Sequence, residues 1–319
     1  MAEAICIGEL LIDFVPTVTG AGIADATTFE KAAGGAPANV AAGLARLGSA
    51  SAFMGKVGDD GFGYFLARTL QDAGVDVGPL RFTTQAKTAL AFVSLHADGE
   101  REFLFYRDPS ADMLFDPADV DAEAIGRAKL VHFGSIGLIG EPSRSATLHA
   151  VRIAREHRLH VSFDANLRPA LWPDLDAARE GIRLGLANAT IVKLSEEELE
   201  FLTGTSDPVR GGRTLWHDDL ALLAITQGSA GCTFLTRTDH DHVPSIRITA
   251  VDATGAGDAF MAGLLSGILA DPETLTTADR MRALCRFANG CGALTATARG
   301  AIPSLPTRTQ VQHFLESNR

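Results

Sequence analysis

The chain has 319 residues, 46% of them hydrophobic, 21% charged and 7% aromatic. This length predicts about two domains or one large α/β domain, burying roughly 75% of its unfolded surface without a disulfide or metal staple. Twenty-eight Lys and Arg stand against 39 Asp and Glu, a net charge of −11, and a body of that charge repels polyphosphate, which argues against nucleic acid as a partner.

An anionic ligand must then be held locally, by helix N-termini, oriented backbone N–H groups and a few placed cations. The cysteines, Cys6, Cys232, Cys285 and Cys291, are scattered with no C-x-x-C pair, which predicts reduced thiols in a cytoplasmic protein. No basic segment precedes the first apolar run, so no secretory signal is expected. The most apolar helical stretch, residues 259–270, reaches only about two-thirds of the length a bilayer needs, so no membrane partner is expected.

Short apolar runs alternate with amphipathic ones, the pattern of β-α units feeding one mostly parallel sheet. Residues 5–12 read as a buried first strand. Residues 38–47 read as a helix stopped by Gly48 at C′. Residues 51–57 follow as a strand, and Asp60 caps a helix in which Phe62, Phe65, Leu66 and Leu70 have core spacing. Further buried strands are expected at 130–133, 161–163, 191–194 and 222–226, with helices near 142–157 and 175–187. Two long Ala/Gly-rich helices, 257–270 and 281–297, close the chain. Residues 14–31 and 88–107 break this rhythm as strands without helices. The second reads as a hairpin turned at Asp98-Gly99, with Leu90, Phe92, Phe103 and Phe105 available for one face. Strands inserted there do not join a parallel sheet easily, so they are expected to form a small antiparallel flap.

The strongest chemical signal is Asp252-Ala-Thr-Gly-Ala-Gly-Asp-Ala-Phe260. Gly255, Ala256 and Gly257 run into a long apolar helix, and with no bulky side chain in the way their N–H groups can converge on an anion. Asp258 falls in the first helical turn. It can be an ordinary dipole partner, or the carboxylate that orients and deprotonates an attacking hydroxyl in phosphoryl transfer. Neither a Walker A loop nor a dinucleotide fingerprint fits the run. A second signal is Gly34-Gly-Ala-Pro-Ala-Asn39: Gly34 and Gly35 let backbone approach a ligand, and Asn39 offers a donor and an acceptor to a polyol. Asp13 is expected to end the first strand at a carboxyl edge, where open α/β sheets bind ligands.

Together with Lys56-Val-Gly-Asp-Asp-Gly-Phe-Gly63, Asp164-Ala-Asn-Leu-Arg168, Thr226-Gln-Gly228 and Gly300-Ala-Ile-Pro-Ser304, these runs resemble the ribokinase-like, or PfkB, sugar kinases over nearly the whole chain. Residues 101–113 and 164–172 are most similar to the fructokinases among them. The resemblance implies a three-layer α/β fold, a mostly parallel sheet flanked by helices, with a small antiparallel β-lid. Residues 1–13, 32–87 and 108–319 would form the core, and 14–31 and 88–107 the lid. It implies transfer of the γ-phosphoryl group of MgATP to the 6-hydroxyl of D-fructose, with 2-keto-3-deoxygluconate or ribose as alternative acceptors and a non-catalytic sensor as the rival class.

The resemblance also carries roles. Asp258 matches the catalytic base, with Gly255, Ala256 and Gly257 as the anion hole. Asp13, Gly34, Gly35, Asn39, Arg107 and Arg168 match the sugar-binding set. Asn166 and Arg168 match positions near the nucleotide phosphates and hydrated Mg2+, and Lys193, Thr226, Gly228, Gly231 and Asn289 match the nucleotide pocket. Asp252, Thr254, Gly300 and Ser304 match a monovalent-cation site, for K+, in many members. Where the family has Asn-x-x-Glu, this chain has Ser195-Glu-Glu-Glu198; Glu198 is then either a magnesium-shell residue acting through water or the closing member of a capping box. His240-Asp-His242 reads as an exposed turn and not a zinc site. Exposed lid edges predict a homodimer in which two lids pair.

Overall fold

The alternating pattern resolves into thirteen strands and eleven helices among the described residues. The computed structural model describes residues 1–318 apart from 19, 21 and 96–100, and not the side chains of 94, 95 and 101–103. Strands β1 (Ala4–Ile7), β2 (Leu11–Pro16) and β3 (Phe29–Gly34) lead into helix α1 (Ala36–Arg46). Next come β4 (Ser51–Gly58), α2 (Gly61–Asp72), β5 (Leu80–Thr83), β6 (Leu90–Leu95) and β7 (Arg101–Tyr106). Then follow α3 (Ala122–Gly126), β8 (Leu130–Gly134), α4 (Ser143–Glu156), β9 (His160–Asp164), α5 (Leu175–Ala187) and β10 (Ile191–Ser195). Helices α6 (Glu196–Thr203) and α7 (Pro208–Thr214) precede β11 (Leu222–Thr226), β12 (Gly231–Leu235) and β13 (His240–Pro244). The chain ends with α8 (Ala256–Ala270), α9 (Ala278–Thr295), α10 (Ala301–Ser304) and α11 (Arg308–Ser317).

Nine strands make the main sheet, in the order β13-β12-β11-β10-β9-β8-β1-β4-β5. Every neighbouring pair from β5 to β11 is parallel, and β12 and β13 finish the sheet antiparallel. Strand order reverses between β1 and β8, the switch point at which open α/β sheets leave a crevice at their carboxyl ends. One face packs on α1, α2, α8 and α9 through residues such as Cys6, Leu44, Leu66, Leu264 and Met281. The other packs on α4, α5 and α6 through Ile7, Phe133, Ala150, Ile182 and Leu199. The mixed α/β, three-layer expectation holds.

Helix α8 is buried on nearly every side, as an apolar helix without a polar stripe must be. It lies close against α1: a Cβ on Gly43 would come within 2.6 Å of the Ala262 Cβ. Gly48 follows α1 at φ 89°, and the Gly48 and Ser49 amides donate to Ala45 and Leu44 at 3.0 and 2.9 Å, the two bonds of a Schellman end. Asp60 caps α2 through the Phe62 and Gly63 amides, as its position predicts.

The lid sheet has the order β3-β2-β6-β7. Its outer pairs are antiparallel as expected, but the central β2–β6 pairing is parallel, because the two strands enter side by side from the core. The single strand expected over residues 5–12 is two: β1 ends at Ile7, residues 8–10 turn, and β2 starts in the lid at Leu11. Apolar residues on both sides hide that break, with only Gly8 and Glu9 between Ile7 and Leu10. Nor do Leu90, Phe92 and Phe105 of the expected hairpin share a face. Leu90 and Phe92 lie opposite Tyr106 and Leu104, whereas Phe105 lies opposite Ala91. The difference is a register step of one, which exchanges faces. The Asp98-Gly99 turn lies outside the described residues.

Phe62 and Phe65 are half-buried at the rim of the core rather than inside it. Phe62 meets Phe14 of the lid edge-on at 5.8 Å, and Lys31 Nζ stands 4.0 Å over the Phe65 ring. His240 and His242 belong to β13 and not to a turn.

Candidate active site

The catalytic candidates meet where α1 and α8 begin. Gly255 is the N-cap of α8 in the left-handed region, φ 78°, and a Cβ there would lie 2.7 Å from the Ala301 Cβ. The helix therefore opens without a capping side chain, and its first-turn amides have no earlier turn to serve. The Ala256 N–H does reach back to the Ala253 carbonyl at 3.2 Å, so the opening of the expected anion hole centres on Gly257. Asp258 sits in that first turn with 9% exposure. Its Oδ2 accepts a hydrogen bond from Asn39 Nδ2 at 2.8 Å. Burial pushes the Asp258 carboxyl above its ordinary value, and Asn39, Lys193 and Arg168 hold it down. The Asn39 Nδ2 fixes this acid, while its Oδ1 has no partner among the described residues.

Asp13 belongs to lid strand β2, not to the carboxyl end of the first core strand. Gly34 lies diagonally across the β2–β3 pair from it, opposite Leu11: a Cβ there would fall 2.1 Å from Asp13 Oδ2, so only glycine leaves the carboxylate room. Burial raises the Asp13 pKa to about 7; the Arg168 charge opposes this and the Asp258 charge adds to it. The two acids and Arg168 thus share one electrostatic neighbourhood, reached from the lid, from α8 and from the segment after β9.

A cation stands beside the helix opening. Lys193 of β10 is 6% exposed and pairs with both oxygens of Asp164 at 3.0 and 3.1 Å. A Cβ on Gly257 would be 3.3 Å from its Nζ. Burial raises Asp164 to about 7, against the pull of Lys193, while the surrounding carboxylates raise Lys193. For the Lys193–Asp164 pair the charged form is the one the geometry supports, since each group has its counter-ion within hydrogen-bond distance. Asn166 takes φ 38°, an unusual backbone state for a non-glycine residue.

Glu198 is the capping-box residue: its Oε2 accepts the Ser195 N–H and its Oε1 the Leu167 N–H, both at 2.7 Å. It therefore ties α6 to the 164–168 segment, and any magnesium contact would share oxygens already engaged by amides. Among the described residues no three His, Cys, Asp or Glu side chains are grouped to hold a metal directly.

The expected cation-site residues do come together. Asp252 Oδ2 accepts the Gly300 amide at 3.1 Å, Asp252 Oδ1 accepts the Thr254 amide at 2.9 Å, and Ser304 Oγ donates to the Ala301 carbonyl at 2.9 Å. The nucleotide candidates form one connected stretch: the Gln227 amide donates to the Gly231 carbonyl at 2.8 Å, and Gly231 pairs with Pro244. Thr226 ends β11 with its hydroxyl on the Leu194 carbonyl at 3.3 Å, and Gly228 follows in the next turn. Asn289 donates to the Val243 and Pro244 carbonyls at 3.0 and 3.3 Å. Gly231 faces the same strand, where a Cβ would meet the Val243 carbonyl oxygen at 2.2 Å. Gly231 and Asn289 therefore meet at the end of β13, next to the Thr226–Gly228 turn. Arg107 is buried against Asp112, with its Nε 2.9 Å from Asp112 Oδ2.

Two groups escaped the sequence reading. Asp164 was visible only as part of a motif, and Glu9 not at all. The available signal was burial: an acid ending an apolar strand, or following one, must find a partner.

A bare helix opening with a fixed lysine beside it offers a place for a phosphoryl group, and a buried acid one step inside can take a proton from an incoming hydroxyl. The molecule is thus a phosphotransferase with an alcohol acceptor. The chain belongs to the pfkB family carbohydrate kinases, whose model it matches over residues 1–308; it is a sugar kinase. Fructokinase-1 of Oryza sativa subsp. japonica is 53% identical to it over 312 residues, 97% of this chain and 96% of that one. A crystal structure of fructokinase with bound ATP from Xylella fastidiosa superposes with a TM-score of 0.90 at 35% identity, covering 99% of both chains. Fructokinase from Vibrio cholerae O395, in a fructose, ADP and calcium ion bound form, gives 0.88 at 34% identity, again over 99% of each.

Proposed function

We infer that the chain is an ATP-dependent fructokinase that moves the γ-phosphoryl group of MgATP to the 6-hydroxyl of D-fructose. The observation that carries the chemistry is the Asn39–Asp258 hydrogen bond of 2.8 Å beside the unobstructed start of α8. The choice of sugar draws on the fructokinases to which the chain is 53% and 35% identical. In this reading Asp13 and the Gly34–Gly35 backbone bind sugar hydroxyls, with Arg107 and Arg168 at the margin of the sugar pocket. Asp258 orients the acceptor hydroxyl and takes its proton. Gly257, its neighbouring amides and Lys193 receive the charge of the moving group. Most of the catalysis is positioning and charge stabilisation, because the transferred group is loosely bonded at the transition state.

Magnesium enters as part of the nucleotide substrate, where it neutralises the β- and γ-oxygens. Such an ion keeps several waters, which suits a site whose acids are engaged by amides and lysine. Thr226 and Gly228 flank the nucleotide, with Asn166 and Arg168 near its phosphates and Glu198 reaching the hydrated metal. The loops holding Asp252, Thr254, Gly300 and Ser304 would take a monovalent cation such as K+. Four buried cysteines without disulfides suit a reducing compartment such as the cytoplasm, and no helix among the described residues is long and apolar enough to cross a membrane.

We assign homodimerisation to the lids. The face opposite Asp13 is aromatic: Phe14 stacks on Phe92 at 5.0 Å, and Phe29 and Tyr106 pack edge-on to Phe92 at 5.2 and 5.7 Å. Leu104 and Tyr106 are 43% and 59% exposed on that face.

The test is a coupled ADP-release assay with fructose, 2-keto-3-deoxygluconate and ribose, scored by kcat/KM. Fructose should lead; a panel led by 2-keto-3-deoxygluconate would replace the substrate while keeping the chemistry.

A further inference from the structure

Glu9 sits where the core sheet hands the chain to the lid, on the link of residues 8–10 between β1 and β2. It is 3% exposed, and the transfer described above does not use it. Its Oε1 accepts the Ala36 N–H at 2.9 Å, so it caps α1 from outside the helix. The N-cap position itself cannot do this. It is Gly35, at φ 111°, and a Cβ there would stand 2.4 Å from the Glu9 carbonyl oxygen.

Three of the chain's crossings between the two sheets meet at this carboxylate. The first is its own link, β1 to β2. The second is β3 to α1, pinned at Gly35 and Ala36. The third leaves β7 at Arg107, whose side chain lines one small cavity with Glu9; burial raises the Glu9 carboxyl to about 7, with the Arg107 charge opposing this and the Asp112 charge adding to it. Gly8, Glu9, Arg107 and Asp112 line one small cavity, and Glu9 Oε2 has no hydrogen-bond partner among the described residues. One turn beyond Ala36, α1 presents the Asn39 amide that holds Asp258.

We propose that Glu9 is a positioning residue for phosphoryl transfer: by gripping the first turn of α1 and facing Arg107, it sets the root of the lid and the Asn39–Asp258 pair as one unit. The inference rests on the sugar-kinase reading of that site. A lid that closes on sugar through Asp13 then finds Asp258 already aligned, and losing Glu9 disturbs sugar use more than nucleotide binding.

Glu9→Ala and Glu9→Gln separate the two contacts. Glutamine keeps an acceptor for the Ala36 amide but presents no charge to Arg107; alanine removes both. With folding checked by circular dichroism, Glu9→Ala should lose about ten- to a hundredfold in kcat/KM for fructose, the scale of one charge-assisted hydrogen bond. The KM for ATP should stay within about twofold. Glu9→Gln should recover most of kcat while the fructose KM stays raised. A wild-type fructose KM in the glutamine variant, or a loss falling equally on both substrates, overturns the proposal, and the glutamine variant alone decides it if the alanine variant does not fold. A wild-type enzyme that releases no ADP with fructose would overturn the fructokinase reading instead, and the variants would then be compared on the sugar it accepts.

Discussion

Asp258 and Asp13 differ in what burial does for them. Asp258 is one helical turn from Gly255, its carboxylate fixed by Asn39, and in the proposed function it orients and deprotonates the acceptor hydroxyl. Asp258→Ala should therefore cut turnover by about two or more orders of magnitude while leaving ATP affinity nearly unchanged, read by steady-state kinetics and nucleotide titration. Asp13 carries a cost in stability. Its folded pKa is raised from 3.8 to about 7, so its ionisation favours the unfolded chain. The penalty appears as pH climbs from about 4 towards 7 and persists above. Asp13→Asn should accordingly melt higher than wild type at pH 8, lose that advantage near pH 4, and bind fructose more weakly; an unchanged melting temperature at pH 8 would contradict this. Where ionised Asp13 and Asp258 are both needed, kcat/KM for fructose should rise with pH up to about neutrality.

At the scale of elements, helix ends were the most readable part of the sequence. Gly48, Asp60 and the Ser195–Glu198 box are local signals, and each ends or starts a helix where its chemistry requires. The break between β1 and β2 was not readable, because both strands are apolar and the turn between them is made by Gly8 and Glu9 without a polar cluster. Register in the lid was hidden for a related reason: Leu90, Phe92, Leu104 and Phe105 are apolar on both faces, so alternation does not choose between pairings. The same reasoning explains the site: Asp258 and its glycines are contiguous and legible, whereas the Lys193–Asp164 pair joins two strands and exists only in three dimensions. The α1–α8 contact gives a direct test. Gly43→Ala pushes a methyl group against Ala262, and overpacking of this kind costs about 1–3 kcal/mol. The urea midpoint should fall, with kcat reduced as Asn39 shifts relative to Asp258.

For the molecule as a whole, the predictions concern assembly and cofactor. If the aromatic lid face pairs two copies, Leu104→Glu should convert a dimer to a monomer in sedimentation at micromolar concentration. Wild-type monomers there would remove the lid interface from the proposal. On the proposal that the nucleotide is used as its magnesium complex, chelation with EDTA should abolish activity and added Mg2+ should restore it.

The lid is assembled from two separate stretches of chain, so it is joined to the body at both ends of each. Neither stretch completes a sheet by itself: β2 needs β6 beside it, and β3 and β7 are only the outer strands. Swapping acceptor preference with a related kinase would consequently require grafting both stretches together. A transplant of either one would leave its partner strand mispaired, and a protease nick in one stretch would loosen the cover without releasing it.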